Sequence, residues 1–275
     1  MNAQILRTIA AKDLQEVRQN RGAWLPAVIV PFFFLVLLPL VVILVPQLLS
    51  FSMLPLLAPS GPVGLMRQNI PALATQLAGL DDRQVWVVLM TGYFLAPFIL
   101  VMPLMLSTIV GAESFVGEKE RKTIEALVYT PASDAELFVG KVLASVLPSI
   151  ALTWLSFLVY GVVVNAAGWP VMERIWFPPP TWWPLILWVT PAFATLGMAV
   201  TVLISTRVST FMEAYQMSAS LVVLVLALVV GQITGVLYLS VGVGLAAGLV
   251  LWAIDALLIW TGVRIFSRER LLSSV

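Results

Sequence analysis

The chain has 275 residues, of which 60% are hydrophobic and only 11% are charged, whereas a soluble domain carries about a quarter of charged residues. Its formal net charge of +1 excludes a strongly basic surface, so no nucleic-acid partner is expected. The absence of Cys and His excludes disulfides, thiol or imidazole catalysis and the usual transition-metal sites, and no catalytic or metal site is predicted.

The first predicted element is a helix within residues 1–21. Apolar residues cover about half of its circumference, and basic residues lie on the remainder, which favours an amphipathic helix in the membrane interface. Its basic side chains would face anionic lipid or a partner protein, and a basic tail with frayed ends is the alternative. The residues expected on the charged face are Arg7, Lys12 and Arg18.

Six uncharged or nearly uncharged stretches follow, each long enough for the roughly 20 residues that cross a bilayer. The sequence therefore predicts an all-α polytopic membrane protein, a single transmembrane domain over 1–275. A loop at 50–84 separates the first two spans, and a charged segment at 111–133 separates the next two. The predicted spans are about 24–49, 85–110, 134–164, 184–204, 212–231 and 236–262.

Orientation follows from the basic residues. Of the 15 Lys and Arg residues, only Arg67, Arg83 and Arg174 fall on the side that carries loop 50–84. Because the basic side of a membrane protein is cytoplasmic, we expect both termini and segment 111–133 in the cytoplasm. Loop 50–84 is then an outer loop, and membrane lipid surrounds the spans.

Proline residues interrupt the predicted spans. In span two, Pro97 and Pro103 free backbone carbonyls that lipid cannot hydrogen bond, so we expect other protein groups or water to satisfy them. At the start of span five, Thr210 and Glu213 have the spacing of a helix-capping box.

Segment 111–133 holds the densest group of charges in the sequence. Glu118 and Lys122 are spaced i, i+4, which favours a helix, and Pro131 ends it because the residue before a proline avoids the α region. A plain turn needs about 2–8 residues, so the longer segment favours a coupling helix that docks on a soluble partner; a solvated turn is the alternative. The residues expected in this site are Glu113, Glu118, Lys119, Glu120, Arg121, Lys122, Thr123, Glu125, Leu127 and Pro131.

Residues 117–141, from Gly-Glu-Lys-Glu-Arg-Lys-Thr-Ile-Glu to Phe-Val-Gly-Lys, resemble the segment after the second span in permeases of the ABC type-2 exporter family. Residues 205–216 are similar to that family's turn between spans four and five. The resemblance implies a dimeric pore, made of two copies or of this chain and a paralogous permease, in a bacterial or archaeal plasma (inner) membrane. It also implies that separate ABC ATPase subunits contact residues 113–131 and drive substrate outward or between leaflets.

The sequence contains no Gly-x-x-x-x-Gly-Lys-Ser/Thr loop, which would cradle nucleotide phosphates and supply a hydroxyl for Mg²⁺. We therefore expect a transport subunit rather than an enzyme, with no cofactor on this chain and with ATP and Mg²⁺ on the partner ATPase. Spans nearly free of charge favour an amphiphilic or hydrophobic substrate, such as a lipid, a lipopeptide or a drug-like molecule.

Asp255 is the one ionisable residue well inside a predicted span. A charge there costs several kcal/mol unless it is paired, hydrated or neutralised. It is either a pore or ion site, for a cation or a proton, or a hydrogen-bonding group between helices. The ion site would suit a secondary transporter or channel, the alternative to an ATP-driven permease, although such proteins usually bury several ionisable residues along their path.

Overall fold

The structure is a computed structural model, and it describes residues 29–48, 71–121, 134–234 and 237–265, together with Thr8, Ala11, Lys12, Gln15, Gln19, Leu25, Gly61 and Gly64. Every regular element in this part of the chain is a helix. Six helices are long and apolar enough to cross a membrane, which confirms the all-α, six-span prediction. Spans one to six are Ile29–Leu48, Asp82–Glu120, Glu136–Met172, Trp182–Ser205, Phe211–Gln232 and Val241–Val263.

Several spans change their helical pitch along their length. Span one has a π-helical turn at Phe33–Leu37 before the α-helix Leu38–Leu48. Span two consists of Asp82–Val87 (α), Val88–Phe94 (π), Ala96–Leu100 (3₁₀), Val101–Ala112 (α), Glu113–Gly117 (π) and Glu118–Glu120 (α). Span four consists of Trp182–Pro184 (α), Leu185–Val189 (π) and Thr190–Ser205 (α). The other helices are Asp134–Met172, Phe211–Ala219, Val222–Ile233, Val241–Ile265 and the short helix Pro71–Gln76.

In span two the regular helical hydrogen bonds are interrupted ahead of Pro97, and side chains of other spans donate to the backbone carbonyls that are left free. Ahead of Pro97 the Leu95 N–H bonds five residues back to the Met90 carbonyl, so the carbonyls of the next residues lose their usual donors. Tyr160 Oη donates to the Thr91 carbonyl at 2.6 Å, and Trp182 Nε1 donates to the Gly92 carbonyl at 2.7 Å. Side chains from spans three and four therefore replace the missing helical bonds, as the prolines predicted.

Spans two and four form the centre of the bundle. In their most apolar windows 72% and 78% of the residues are buried, against 17–33% in the other four spans, whose outer faces remain for lipid or another protein. The two central helices approach closely at Gly197, where a Cβ atom would overlap the hydroxyl of Ser107. Span six lies at the periphery and packs on span four.

The two ends of the bundle differ in chemistry. The end that carries the short helix Pro71–Gln76 is capped by apolar and aromatic contacts. Leu73 and Leu77 are buried against Leu89 and Tyr93, and Tyr93 stacks on Tyr238. The charged end contains the last turns of span two, the start of span three and the turn 204–211 between spans four and five. The sequence predicts that the charged end is cytoplasmic.

Span two is longer than its apolar stretch. Its helix continues past the predicted limit near 110 and ends at Glu120, so residues 111–120 of segment 111–133 are the end of the span itself. The predicted capping residue Thr210 does begin span five, where its hydroxyl accepts from the Glu213 N–H at 3.3 Å. Residues 122–133, including the predicted break at Pro131, lie outside the described residues.

Candidate functional site: a buried charge cluster at the charged end

A π-helical turn at Glu113–Gly117 brings the acidic side chains of span two to the inside of the bundle. Glu113 and Glu118 are both buried, with relative exposures of 1% and 2%. Gly117 leaves room for the Glu113 carboxyl group, because a Cβ atom there would stand 3.1 Å from its carboxyl carbon. Both carboxylates therefore require partners within the protein, since a buried unpaired charge is strongly unfavourable.

Lys141 of span three supplies one partner. Its side chain is 2% exposed, and its Nζ lies 2.8 Å from Glu118 Oε2. The same ammonium donates to the Ser114 carbonyl at 2.5 Å and to Ser114 Oγ at 3.2 Å, and it lies 5.5 Å from the centre of the Phe115 ring. An ion pair buried this deeply is tolerated only when further hydrogen bonds satisfy its groups, and the Ser114 contacts meet that condition.

Lys12, from the N-terminal region, pairs with the other oxygen of the same carboxylate, Glu118 Oε1. The Lys12 side chain is 44% exposed, so this pair lies where the interior meets the surface. Glu118 thus binds one lysine from the N-terminal segment and one from span three. Because each partner is on a different segment, the carboxylate ties these two segments to the end of span two.

Arg121 closes the same turn. Its Nη1 donates to Glu113 Oε1 at 2.5 Å, and its side chain is 43% exposed while that of Glu113 is 2% exposed. The guanidinium therefore neutralises a buried carboxylate and still presents part of its surface at the charged end.

Two further contacts connect the end of span two to the turn between spans four and five. Lys119 Nζ donates to the Val208 carbonyl at 3.3 Å, and Glu120 Oε2 accepts from the Phe211 N–H at 2.8 Å. The second contact places an acidic group at the N-terminal end of a helix, where it is favoured by the helix dipole. We call the set Lys12, Glu113, Lys119, Glu120, Arg121, Glu118 and Lys141 the coupling cluster.

The coupling cluster contains part of the predicted docking set. Glu113, Glu118, Lys119, Glu120 and Arg121 lie together at the end of span two, but the carboxylates of Glu113 and Glu118 face the interior rather than the surface. Lys12 of the predicted interfacial helix joins them. The remaining predicted residues lie outside the described residues, namely Arg7, Arg18, Lys122, Thr123, Glu125, Leu127 and Pro131.

Sequence reasoning missed Lys141 as a site residue. It stood in the sequence as a basic residue near the predicted start of span three, where a topology anchor is common. Its position inside the long helix Asp134–Met172 gave no indication of a partner. A signal did exist: Lys141 has the apolar residues Leu137, Phe138 and Ala144 at i−4, i−3 and i+3, and a lysine on a largely apolar helical surface needs an acid.

An apolar cavity of about 330 Å³ lies between spans one, two and five. Ligand sites have volumes of about 300–1,000 Å³ and mostly apolar walls with a few polar groups. Here Thr108 and Tyr215 are the polar residues of the lining, and the buried Thr108 hydroxyl donates to the Met105 carbonyl at 2.9 Å. The side chains of the apolar wall include Phe34, Phe98 and Leu104. Lys119 and Glu120 contact the turn and the first residue of span five, and span five also lines the cavity. The coupling cluster is therefore connected to the cavity through span five.

Asp255 lies elsewhere, in span six. It is fully buried, and neither carboxylate oxygen has a hydrogen-bond partner among the described residues. It does not line the cavity between spans one, two and five. Within the described part of the chain, no group of three or more Asp, Glu, His or Cys residues is arranged to hold a metal ion.

Comparison with known proteins adds one finding. A family model described as ABC-2 family transporter protein matches residues 7–259. The matched region includes the N-terminal segment with Lys12, all the residues of the coupling cluster, and Asp255. No curated protein and no solved structure matches the chain.

Proposed function

The chain belongs to the ABC-2 family of transporter proteins, and from this premise we propose that it is the membrane-spanning permease subunit of an ATP-driven exporter. Separate ABC ATPase subunits bind and hydrolyse ATP with Mg²⁺, and this chain binds neither. Two copies of the chain, or this chain and a paralogous permease, enclose the path. The proposal places the protein in the plasma (inner) membrane, with the charged end and both termini in the cytoplasm.

The observation that carries the proposal is the coupling cluster. A motor outside the membrane needs a rigid contact on the permease that moves several helices together. The cluster joins the N-terminal segment through Lys12, span three through Lys141, and the start of span five through Glu120. A push on the end of span two is therefore transmitted to three other segments.

In the proposed cycle the ATPase contacts the exposed parts of the cluster and the segment that follows Arg121. Closure of the ATPase subunits on ATP moves the end of span two, and with it the turn before span five. Since spans one, two and five line the apolar cavity, their displacement opens that cavity to the other side of the membrane. ATP binding to the ATPase and opening of the cavity thus favour the same one of two conformations.

The cavity supports an amphiphilic or hydrophobic substrate, such as a lipid, a lipopeptide or a drug-like molecule. Its walls are apolar apart from Tyr215 and Thr108, and the Thr108 side chain is buried with its hydroxyl donating to the Met105 carbonyl, so the cavity would not replace the hydration shell of a small ion. Asp255 is the buried acid that a secondary transporter would need, but it lies outside this cavity, which counts against that alternative.

Co-purification tests the proposed docking site. The triple variant Lys119→Glu, Arg121→Glu, Lys122→Glu reverses the basic charges at the end of span two. A matched control, Arg83→Glu with Arg174→Glu, reverses exposed basic charges at the opposite end of the bundle. Each protein is purified from membranes that also contain an affinity-tagged ABC ATPase encoded with it.

We expect the triple variant to insert normally and to lose the ATPase, while the control variant retains it. The reversed charges would repel an acidic docking surface or leave it unpaired, at a cost of several kcal/mol for close pairs. If the triple variant retains the ATPase at the wild-type level, the docking site has been assigned to the wrong surface.

A further inference from the structure

Asp255 occupies an unusual place for an acid. It lies in span six, eight residues before Val263, which corresponds to about 12 Å of helix rise from that end. Its side chain is 0% exposed, and both Oδ1 and Oδ2 lack hydrogen-bond partners among the described residues. One turn earlier, the Trp252 indole N–H is also buried without a partner. A donor and an acid therefore form a small polar patch on one face of the helix.

The contacts between spans four and six show what this patch faces. Gly244, Gly248 and Gly262 of span six lie against Pro184, Trp188 and Val202 of span four. Each glycine lies 60 residues after its partner in the sequence (244 − 184, 248 − 188 and 262 − 202). The two helices therefore run parallel with a constant register. The same offset brings Thr195 to the level of Asp255. Thr195 is buried, and its hydroxyl donates to the Pro191 carbonyl of its own helix at 2.9 Å.

No opposite charge faces Asp255 from the helices packed against it in the described structure. Span four, Trp182–Ser205, contains no Asp, Glu, Lys, Arg or Tyr. Span three approaches span six at Phe138 and Gly262, and its nearby cation, Lys141, is bonded to Glu118 and Ser114. On span six itself the next ionisable residue is Arg264, about 13 Å of helix rise away.

These surroundings determine which form of the carboxyl group is stable. An ionised carboxylate without partners in an apolar interior is strongly unfavourable, whereas the neutral acid carries only a modest penalty. A metal cation would need several oxygen ligands, and the facing helix offers one hydroxyl at this level. A proton needs no ligand beyond the carboxyl group itself.

We propose that Asp255 is a proton-binding site: a carboxyl group that is held as the neutral acid between spans four and six. The carboxylate takes a proton from hydronium and forms an O–H bond, which releases water. When span six separates from span four and water enters, the same proton returns to water. This site is independent of the proposed function, because neither ATP-driven transport nor docking requires it.

Chemical labelling of the full chain in liposomes tests the proposal. Dicyclohexylcarbodiimide is an apolar reagent that reacts with protonated carboxyl groups in apolar surroundings. We expect an adduct on Asp255, located by mass spectrometry of the peptide, and none on the exposed carboxylate Glu213. Asp255→Asn, which has nearly the same shape and cannot ionise, serves as the matched control and should remain unlabelled.

Infrared difference spectra show whether the Asp255 carboxyl group is protonated even if dicyclohexylcarbodiimide does not reach it. The wild type minus Asp255→Asn spectrum at neutral pH should show the carbonyl band of a protonated carboxyl group and no carboxylate band. The thermal stability of the wild type in detergent should also fall, relative to Asp255→Asn, as pH rises from about 5 to about 9, because the exposed carboxyl group of the unfolded state releases its proton while the buried one retains it. A carboxylate band together with equal pH dependence of the two proteins would overturn the proposal.

Discussion

The two lysines that pair with Glu118 should contribute to stability very unequally. Lys141 Nζ lies 2.8 Å from Glu118 Oε2 with both side chains buried, whereas the Lys12 side chain is 44% exposed. At an effective dielectric constant of about 20, a 2.8 Å pair has a Coulomb attraction of about 6 kcal/mol, part of which is offset by desolvation. Removing one partner of such a pair leaves a buried charge and typically costs about 3–5 kcal/mol.

We therefore expect Glu118→Gln and Lys141→Met each to lower the free energy of unfolding by about 3–5 kcal/mol. Lys12→Met should lower it by about 0.2–1 kcal/mol, because an exposed pair is weakened by solvent. The double variant Glu118→Gln with Lys141→Met removes both charges, so its cost should be smaller than the sum of the single costs by about 1–3 kcal/mol.

Equilibrium unfolding in mixed detergent micelles measures these differences. The ordering of the variants is the sharper test, since it depends on burial and not on the absolute scale. The reasoning is refuted if Lys12→Met destabilises the protein as much as Lys141→Met, or if the double variant costs the full sum of the single variants.

Three other predictions concern separate parts of the structure. Glu120→Gln weakens the bond from the Phe211 N–H at 2.8 Å, so it should lower substrate-stimulated ATPase activity several-fold with assembly intact, whereas Glu213→Gln in the same helix turn should have little effect. Gly248→Ala should destabilise the protein by about 1–3 kcal/mol, because the new methyl group overlaps the Trp188 ring; Gly242→Ala, which meets nothing closer than Ser240 Oγ at 4.0 Å, should be neutral or slightly stabilising in a thermal unfolding experiment. Ala219→Trp fills the cavity between spans one, two and five from a partly buried position and should abolish transport in liposomes without loss of the ATPase, whereas Leu152→Trp on the exposed face of span three should transport normally.

The number of spans could be predicted from the sequence because the signal is simple. Long uncharged stretches separated by charged or Pro- and Gly-rich segments can only be buried in lipid. The effect of the prolines was also predictable, because a freed carbonyl in an apolar medium must find a donor. Which donor would serve was not predictable: Tyr160 and Trp182 lie far from Thr91 and Gly92 in the sequence.

The coupling cluster could be predicted only in part. The charge density of segment 111–133 directed attention to the right end of span two, and the sequence named five of the cluster's residues there and Lys12. Charge density alone suggested a solvated surface, however, and the structure buries Glu113 and Glu118. In the folded protein Glu118 pairs with Lys141 of span three, and the Glu113 carboxyl group packs beside Gly117. Neither contact can be derived from local helical spacing.

For Asp255 the position within a span could be predicted from the sequence, but its surroundings could not. Its position inside an apolar span was evident from the sequence, and the two interpretations, an ion site and a hydrogen bond to another helix, had different structural requirements. The described residues provide no hydrogen-bond partner for its carboxyl oxygens. Its location between spans four and six, away from the cavity, could not be predicted, because helix packing around a span of small and apolar residues has no clear periodic signal.

Reconstitution in liposomes tests the central claim most directly. The purified chain is incorporated with and without its ABC ATPase subunits, and the movement of a fluorescent amphiphile between leaflets is measured with ATP and Mg²⁺ on the side of the ATPase. We predict movement against the concentration gradient only when both proteins and ATP are present, and none with the chain alone. Sustained uphill movement by the chain without any ATPase would contradict the account.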